Sequence, residues 1–160
     1  MTRNLPVRRV SPGAYRLRGM ECLCGNVRMA ARALTAVYDR FLEPSGLTAS
    51  QLAVLWCIAA REPVPMREVS EVLVMDKTTV SRNLAALAAQ GWVRSAPGPD
   101  ARMKLVSITP KGRRAFAAAL PRWRAAQAWV GRRMGPARFA STVLEAKRLA
   151  QRIAAPSAPR

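Results

Sequence analysis

The side chains that most often carry out catalysis are absent or isolated in this sequence. None of its 160 residues is a histidine. Ser-His-Asp and Cys-His nucleophiles and the zinc sites that need imidazole are therefore excluded. The nine acidic residues are scattered, and no pair of them suggests a hydrolytic dyad. The sequence predicts a protein that is not an enzyme and that needs no cofactor or metal ion.

Three cysteines, Cys22, Cys24 and Cys57, supply the remaining reactive groups. Their small, odd number argues against a secreted disulfide framework. Cys22 and Cys24 lie at the predicted start of a helix, where the helix N-terminus and nearby Arg28 would favour oxidation of a thiol. The two are too close for a relaxed disulfide within one helical turn, so a bridge would join another chain or Cys57. Redox sensing and buried structural thiols both remain open, and a metal site ranks below them.

Basic residues dominate the charged positions. Lys and Arg number 27 against 9 Asp and Glu, which gives a formal charge of +18. A positive potential of this size attracts polyanions. A GC-rich genome alone could raise the total, but residues 77–114 contain eight basic residues and one acid, Asp100. This local asymmetry indicates nucleic-acid binding more strongly than the total charge does.

A short polar run in the middle of the sequence has the composition of a DNA-reading helix. Asp76 is its predicted N-cap, and Val80, Leu84 and Leu87 are predicted to face inward. Short hydroxyl side chains allow close approach to a major groove, while Arg and Asn can read guanine and adenine edges. The predicted contacts are Lys77, Thr78, Thr79, Ser81, Arg82 and Asn83.

Periodicity and capping signals place this run within a series of helices. Thr48 with Gln51 forms a predicted capping box, and Thr109-Pro110 is a second helix start. Pro121 is expected to kink the long helix that follows. Two strand-like runs, residues 92–96 and 103–108, predict a hairpin. The predicted helices cover residues 21–42, 49–62, 65–72, 77–90 and 110–134, with a last one after Gly135-Pro136.

The predicted organisation is one domain, residues 20–154, between a flexible basic arm (1–19) and a disordered tail (155–160). The basic N-terminal stretch lacks the apolar segment of a signal peptide. No run is long enough to span a membrane. The bacterial cytoplasm is the predicted location.

In this order and spacing, the motifs resemble those of the MarR family of bacterial transcriptional regulators. The resemblance covers about residues 21–153 and is most specific in Met75-Asp76-Lys77-Thr78-Thr79-Val80-Ser81-Arg82-Asn83-Leu84, Gly91-Trp92-Val93, Asp100-Ala101-Arg102 and Ile108-Thr109-Pro110-Lys111-Gly112. It implies a mainly α fold with a small β-wing. The winged helix-turn-helix would occupy about 48–109, and dimerisation helices about 21–43 and 110–154.

The resemblance also implies how the protein binds DNA. Arg102 would enter the minor groove, held by Asp100. Phosphate contacts would come from Arg94 and Lys104, and from Lys111, Arg113 and Arg114. A homodimer would bind a pseudo-palindromic operator, with recognition helices roughly 34 Å apart. Non-specific nucleic-acid binding is the rival interpretation.

Release from DNA would depend on an effector. In the family a small, often aromatic or anionic ligand binds between the dimerisation helices and the winged helix. Met29, Arg32, Tyr38 and Trp56 are the candidate lining residues. In the alternative, a peroxide-sensing repressor, Cys24 occupies the position of the reactive cysteine in the organic-hydroperoxide-sensing branch, and Tyr38 matches one assisting tyrosine.

The connection before the recognition helix departs from the family pattern, which favours Gly where Val74 stands. The short helix before it also lacks the usual Ser or Thr cap. A β-branched residue is costly at positive φ. We therefore expect Val74 to keep a negative φ.

Overall fold

A computed structural model of the chain describes residues 21–100 and 103–154. It is mainly helical with a small antiparallel sheet of strand order β1–β3–β2, which confirms the predicted fold class. A 3-10 turn, Glu43–Ser45, follows the first helix. The helices are α1 (Leu23–Leu42), α2 (Ala49–Arg61), α3 (Met66–Leu73), α4 (Lys77–Ala89), α5 (Pro110–Met134) and α6 (Pro136–Ile153), and the strands are β1 (Val64–Pro65), β2 (Val93–Pro97) and β3 (Lys104–Ile108).

The chain divides into two compact units, residues 1–37 and 38–160. In the first unit the described residues, 21–37, include most of α1. Their large apolar side chains Leu23, Val27, Met29 and Leu34 are exposed. The second unit contains the other elements and the hydrophobic core.

The core of the second unit is built around α2. Val54, Leu55 and Ile58 are completely buried there, since their spacing places them on one side of the helix. Burial of each such side chain is worth roughly 1.5–3 kcal/mol. The other elements contribute Val69 from α3, Val80, Leu84 and Leu87 from α4, and Val106 and Ile108 from β3.

The three predicted helix N-caps, Thr48, Asp76 and Thr109, are confirmed. Thr48 and Gln51 form a reciprocal capping box at α2. The Asp76 carboxylate accepts the Thr79 N–H at 2.8 Å, and the Thr109 hydroxyl oxygen accepts the Gly112 N–H at 3.0 Å. These caps fix where α2, α4 and α5 begin.

One boundary near the sheet differs from the prediction. Pro65 does not start α3 but pairs with Leu105 as the last residue of β1. A two-residue edge strand can include proline because its missing N–H faces away from the ladder. Helix α5 continues through Pro121. The kink expected there stays a prediction.

The expectation of negative φ at Val74 is wrong, because Val74 has φ 51° in the left-handed region. The backbone ends α3 in a Schellman pattern, with Met75 N–H donating to Ser70 O and Val74 N–H donating to Glu71 O. The same pattern ends α4, where Gly91 takes the left-handed position. At α3, a turn short enough to place Asp76 as the next cap requires this conformation of valine.

Val74→Gly should therefore raise the free energy of unfolding by up to about 1 kcal/mol. A residue with a Cβ is less stable in the left-handed conformation by about 1–2 kcal/mol, and glycine avoids this cost. Glycine also loses more backbone entropy on folding, which cancels ~0.5–1 kcal/mol of that gain. Little packing is lost, since Val74 is 60% exposed. Urea unfolding of Val74→Gly measures the gain, and Val74→Ala, which keeps a Cβ, is the control. Lower stability in the glycine variant would contradict the left-handed assignment.

Candidate nucleic-acid interface

One face of α4 is solvent-exposed and polar. Lys77, Thr78, Ser81 and Arg82 are exposed, whereas Val80, Leu84 and Leu87 on the opposite face are buried. At 100° per residue the four exposed positions lie on one side of the helix. The structure thus brings together four of the six predicted contacts on this helix.

The other two predicted contacts on α4, Thr79 and Asn83, lie at the side of this face and are half-buried. The Thr79 hydroxyl donates to Asp76 Oδ2 at 2.6 Å, and Asn83 Nδ2 donates to Thr79 O at 2.9 Å. The Thr79 hydroxyl and N–H hold the pKa of Asp76 below its usual range. Both residues thus support the start of the helix, and base contact by either stays a prediction.

Ala85 is an exposed residue of this face that the sequence analysis missed. It follows Ser81 by four residues and Arg82 by three, and this helical spacing was the available signal. Because alanine has no polar side-chain group, the chemistry of its side chain gives no signal of DNA contact. Its methyl group is the kind of surface that contacts the methyl group of thymine.

The predicted hairpin is confirmed as β2 and β3, paired from Val93↔Ile108 to Pro97↔Lys104. Its turn is closed by Gly98 N–H donating to Met103 O and by Met103 N–H donating to Asp100 O, both at 2.8 Å. Arg94, Asp100 and Lys104 are exposed. Arg102, with its expected pairing to Asp100, lies outside the described residues.

A groove of about 790 Å³ separates α3 and α4 from the hairpin. Lys77 and Ser81 lie on its helical side, and Lys104 and Asp100 on its hairpin side. Two further acids line it, but both are paired, Glu68 with Arg61 at 2.9 Å and Glu71 with Arg67 at 2.7 Å.

Of the expected phosphate contacts on α5, Lys111 and Arg114 are exposed. The guanidinium of Arg113 instead forms an ion pair with the carboxylate of Glu62. The sequence could not show this pair because it joins residues 51 positions apart. The charge of Arg113 is thus shared with a carboxylate.

Comparisons with known proteins agree with this geometry. A family model described as a winged helix DNA-binding domain matches residues 47–112. The uncharacterised HTH-type transcriptional regulator YwoH of Bacillus subtilis is 32% identical over 94 residues, which are 59% of this chain and 69% of YwoH. The multiple antibiotic resistance protein MarR of Salmonella typhimurium is 35% identical over 75 residues, 46% of this chain and 52% of MarR.

The Mycobacterium tuberculosis transcriptional regulator MosR, solved in complex with DNA, is 37% identical and superimposes with a TM-score of 0.76. The match covers 86% of this chain and 100% of that one. The chain belongs to the MarR family. This MarR-family member is a DNA-binding transcriptional regulator with a winged helix-turn-helix. In the parts of the chain that the structure describes, no helix combines the length and hydropathy needed to cross a bilayer.

The second unit of this MarR-family chain also contains an apolar cavity of about 490 Å³ between the end of α1, α2, α3 and α5. Trp56 packs edge-on against Phe116 and Trp123, with ring centroids 5.4 and 5.2 Å away. Two predicted effector contacts, Tyr38 and Trp56, line the cavity. The other two, Met29 and Arg32, are exposed residues of the first unit and do not line it.

Few polar groups of the cavity wall are available to a ligand. The Tyr38 hydroxyl donates to Gln127 Oε1, and burial raises the pKa of this tyrosine. Burial also raises the pKa of the Cys57 thiol, which keeps it protonated. Arg61 is the charged lining residue, and its guanidinium is paired with Glu68.

The two N-terminal cysteines are exposed, whereas Cys57 is buried. Cys22 immediately precedes α1, whereas the predicted helix began at residue 21, and the Cys22 sulfur accepts the Gly25 N–H at 3.4 Å. Cys24 lies in the first turn of the helix. The other interpretation, in which these thiols are buried at the seam of a dimer, stays a prediction.

Helix α6 has no buried residue in the second unit. Its exposed apolar side chains include Val143, which is 53% exposed, Leu144 and Ile153. An amphipathic helix without a covered face commonly marks an interface. This agrees with the expectation that residues 110–154 contribute dimerisation helices.

Proposed function

We propose that this MarR-family chain is a homodimeric repressor that binds a pseudo-palindromic operator and is released by a small ligand. The observation that supports this proposal most directly is the exposed polar face of α4, which lies beside a lysine-lined groove and a hairpin. The 37% identical MosR, solved in complex with DNA, supports this use of the surface.

In the proposed complex, α4 enters the major groove. Thr78, Ser81 and Arg82 face base edges, and the small side chain of Ala85 lets the helix approach closely. The groove between α4 and the hairpin receives the sugar–phosphate backbone. Lys77 and Lys104 line this groove and would neutralise phosphates there.

The hairpin acts as the wing in this proposal. Arg94 contacts phosphate, and Arg102, supported by Asp100, enters the adjacent minor groove. A narrow A·T-rich minor groove attracts a guanidinium by its strong negative potential. We therefore expect a preference for A·T pairs beside the sequence read by α4.

The proposed dimer uses the apolar faces that one chain leaves uncovered. Val143 and Leu144 on α6 and Leu23 on α1 are exposed in the single chain. Two-fold symmetry then places two copies of α4 about one helical turn of DNA apart, roughly 34–36 Å.

Selection of a site from a random duplex pool, followed by competition, tests this proposal. Light scattering should show a dimer, and the selected site should be a palindrome bound at least ~10³-fold more tightly than unrelated DNA. A preference below tenfold would favour the rival non-specific nucleic-acid-binding protein. A monomer on DNA would contradict the symmetric complex.

The proposed effector is a small aromatic molecule that occupies the apolar cavity. Among the alternatives of an aromatic or an anionic ligand, the wall favours a neutral aromatic, because Arg61 is already paired with Glu68 and the Tyr38 hydroxyl with Gln127. A ligand between α2 and α5 would act by changing the position of α4 and the hairpin relative to the long helices.

Filling the cavity should abolish the effector response while DNA binding persists. In a thermal-shift screen of neutral aromatics and aromatic carboxylates, a ligand at about 100 times its Kd should raise the melting temperature by roughly 5 °C or more. Ala53→Phe, which places a ring in the cavity, should remove this shift. Ala117→Phe on the exposed side of α5 is the control. An unchanged shift in Ala53→Phe would exclude the cavity.

A thiol-based peroxide sensor is a second candidate, favoured by the exposure of Cys22 and Cys24. A hydroperoxide would oxidise the Cys24 thiol to a sulfenic acid and be reduced to an alcohol. Condensation of this sulfenic acid with another thiol would then form a disulfide and release water. The buried Cys57 is a poor partner, so a cysteine of a second copy is the proposed one.

Cumene hydroperoxide should then lower operator binding by the wild type but not by Cys24→Ser. Non-reducing electrophoresis should show a disulfide-linked dimer, and intact mass should show the loss of two hydrogens per bridge. Cys57→Ser, which removes the buried thiol, should respond like the wild type. If peroxide leaves operator binding by the wild type unchanged, the redox function is excluded.

A further inference from the structure

The carboxylate of Glu62 joins three elements of the winged helix. Glu62 is the C-cap of α2. Its Oε2 accepts the Ile108 N–H at 2.9 Å, at the last residue of β3. Its Oε1 forms the ion pair with Arg113 in the first turn of α5. The Glu62 side chain is 21% exposed and the Arg113 side chain is 55% exposed, so water competes less for the bond to Ile108 than for the ion pair.

Glu62 takes the place of a missing strand residue at the base of the hairpin. The register of β1 against β3 pairs Val64 with Val106, so two further steps along both strands bring Glu62 opposite Ile108. Strand β1 contains only two residues, and its backbone does not extend to this point. The carboxylate supplies the acceptor that a longer β1 would have provided from its main chain.

From this geometry we propose that Glu62 is the positioning residue of the wing. This inference rests on the proposed DNA-binding mode. Ile108 lies where the hairpin meets α5, because the next residue, Thr109, caps that helix. Five residues of β3 extend about 17 Å from this point. A tilt of about 5° at the base would move the far end of β3 by roughly 1.5 Å, more than the ~0.5 Å tolerance of a preorganised contact.

The same carboxylate connects the wing to the two helices that enclose the cavity. Trp56, Cys57 and Arg61 of α2 and Trp123 of α5 line the cavity, while Glu62 directly follows α2 and contacts Arg113 of α5. A relative movement of these helices therefore reaches β3 through Glu62. The wing is positioned by α2 and α5 together rather than by the hairpin turn alone.

Glu62→Gln tests this role, because an amide oxygen can still accept the Ile108 N–H while the charge that pairs with Arg113 is lost. Affinity for the selected operator should fall about fivefold, within the ~2–30-fold range of coupling changes. The preference for A·T pairs beside the site should decrease with it. Glu145→Gln, which breaks the exposed pair with Arg148 at 2.8 Å, should change neither quantity.

A double-mutant cycle with Arg102→Ala separates positioning from general stability. Arg102→Ala should weaken binding roughly tenfold. Adding Glu62→Gln should cost no more than about a further 1.5-fold, because Glu62 acts through the wing. Full additivity, or an unchanged A·T preference in Glu62→Gln, would overturn the proposal. If Glu62→Gln does not fold, Arg113→Gln replaces it, because it removes the ion pair on the α5 side and keeps the bond from Ile108 N–H to Glu62. Arg113→Gln should show the same loss of operator affinity and of A·T preference.

The failure of the proposed function gives different results. If the wild type selects no site, or if Arg102→Ala binds like the wild type, DNA recognition by the wing is wrong, and the role of Glu62 is wrong with it. If Arg102→Ala weakens binding but Glu62→Gln and Arg113→Gln do not, the wing reads DNA without Glu62. Each pattern of affinities thus identifies which proposal has failed.

Discussion

Replacing Arg82 with alanine should weaken binding to the selected operator by about 1–3 kcal/mol, roughly 5- to 150-fold. Arg82 is exposed on the same face of α4 as Ser81. It takes part in none of the ion pairs found among residues 21–100 and 103–154. Its guanidinium therefore has the fork geometry and the freedom to bind O6 and N7 of a guanine.

Titrations against single-base variants of the operator distinguish a base contact from a phosphate contact. If Arg82 reads a guanine, the loss in Arg82→Ala should be confined to operators that contain that guanine, and discrimination at that position should disappear. An equal loss on all sequences, with the salt slope reduced by about one, would make it a phosphate contact. Arg122→Ala, which removes an equal charge from α5, controls for the general effect of charge.

The elements that position this site could be predicted from the sequence because their signals are local. Thr48, Asp76 and Thr109 each satisfy an N–H three residues away, so a window of four residues contains the whole cap. The hairpin follows from alternation and turn residues within one short segment. The recognition helix and the wing, which carry the proposed DNA contacts, are built from these local signals.

The features that escaped the sequence analysis depend on packing between distant segments. The Glu62 carboxylate accepts a hydrogen bond from Ile108 and forms an ion pair with Arg113, 46 and 51 residues later. No local sequence pattern predicts contacts over such distances. Strand β1 has two residues, too few for any alternation. The left-handed Val74 is a case where the turn between α3 and α4 overrides the preference of the residue. The cavity likewise exists only once α2 and α5 have packed.

The features that local sequence signals predict and those that depend on long-range packing also differ in their proposed function. The proposed DNA contacts lie on α4 and the hairpin, whose shapes are determined by nearby residues. The cavity lies between the end of α1, α2, α3 and α5, and Glu62 lies where α2, β3 and α5 meet. A ligand in the cavity would change the placement of α4 and the hairpin without changing their residues. If the proposed effector binds in the cavity, substitutions at Tyr38, Trp56 or Trp123 should change effector specificity without changing the operator sequence.

Among the substitutions proposed, Gly112→Ala should lower the free energy of unfolding most, by about 4 kcal/mol or more. The reason is that the backbone of α5 touches the backbone at Trp92 at this residue. Gly112 is buried in the first turn of α5. A Cβ there would lie 2.0 Å from the Trp92 carbonyl oxygen and 2.8 Å from Ile108 Cγ1. Neither the end of α4 nor the base of β3 can move away freely. The Thr109 hydroxyl joins the residue after α4 to α5, donating to Gly91 O at 2.7 Å and accepting the Gly112 N–H, and the base of β3 is held because Ile108 directly precedes Thr109 in the chain.

Gly131→Ala in the same helix is the matched control for this substitution. The nearest atom to its Cβ would be Phe139 Cγ at 3.8 Å, an ordinary contact. Because alanine is the better helix former, this variant should be more stable by up to about 1 kcal/mol, equivalent to a rise of roughly 2–4 °C in melting temperature. Circular dichroism melts of both variants measure the difference. If Gly112→Ala melts like the wild type, α5 does not contact the Trp92 backbone, and the wing is not anchored to α5 at this point.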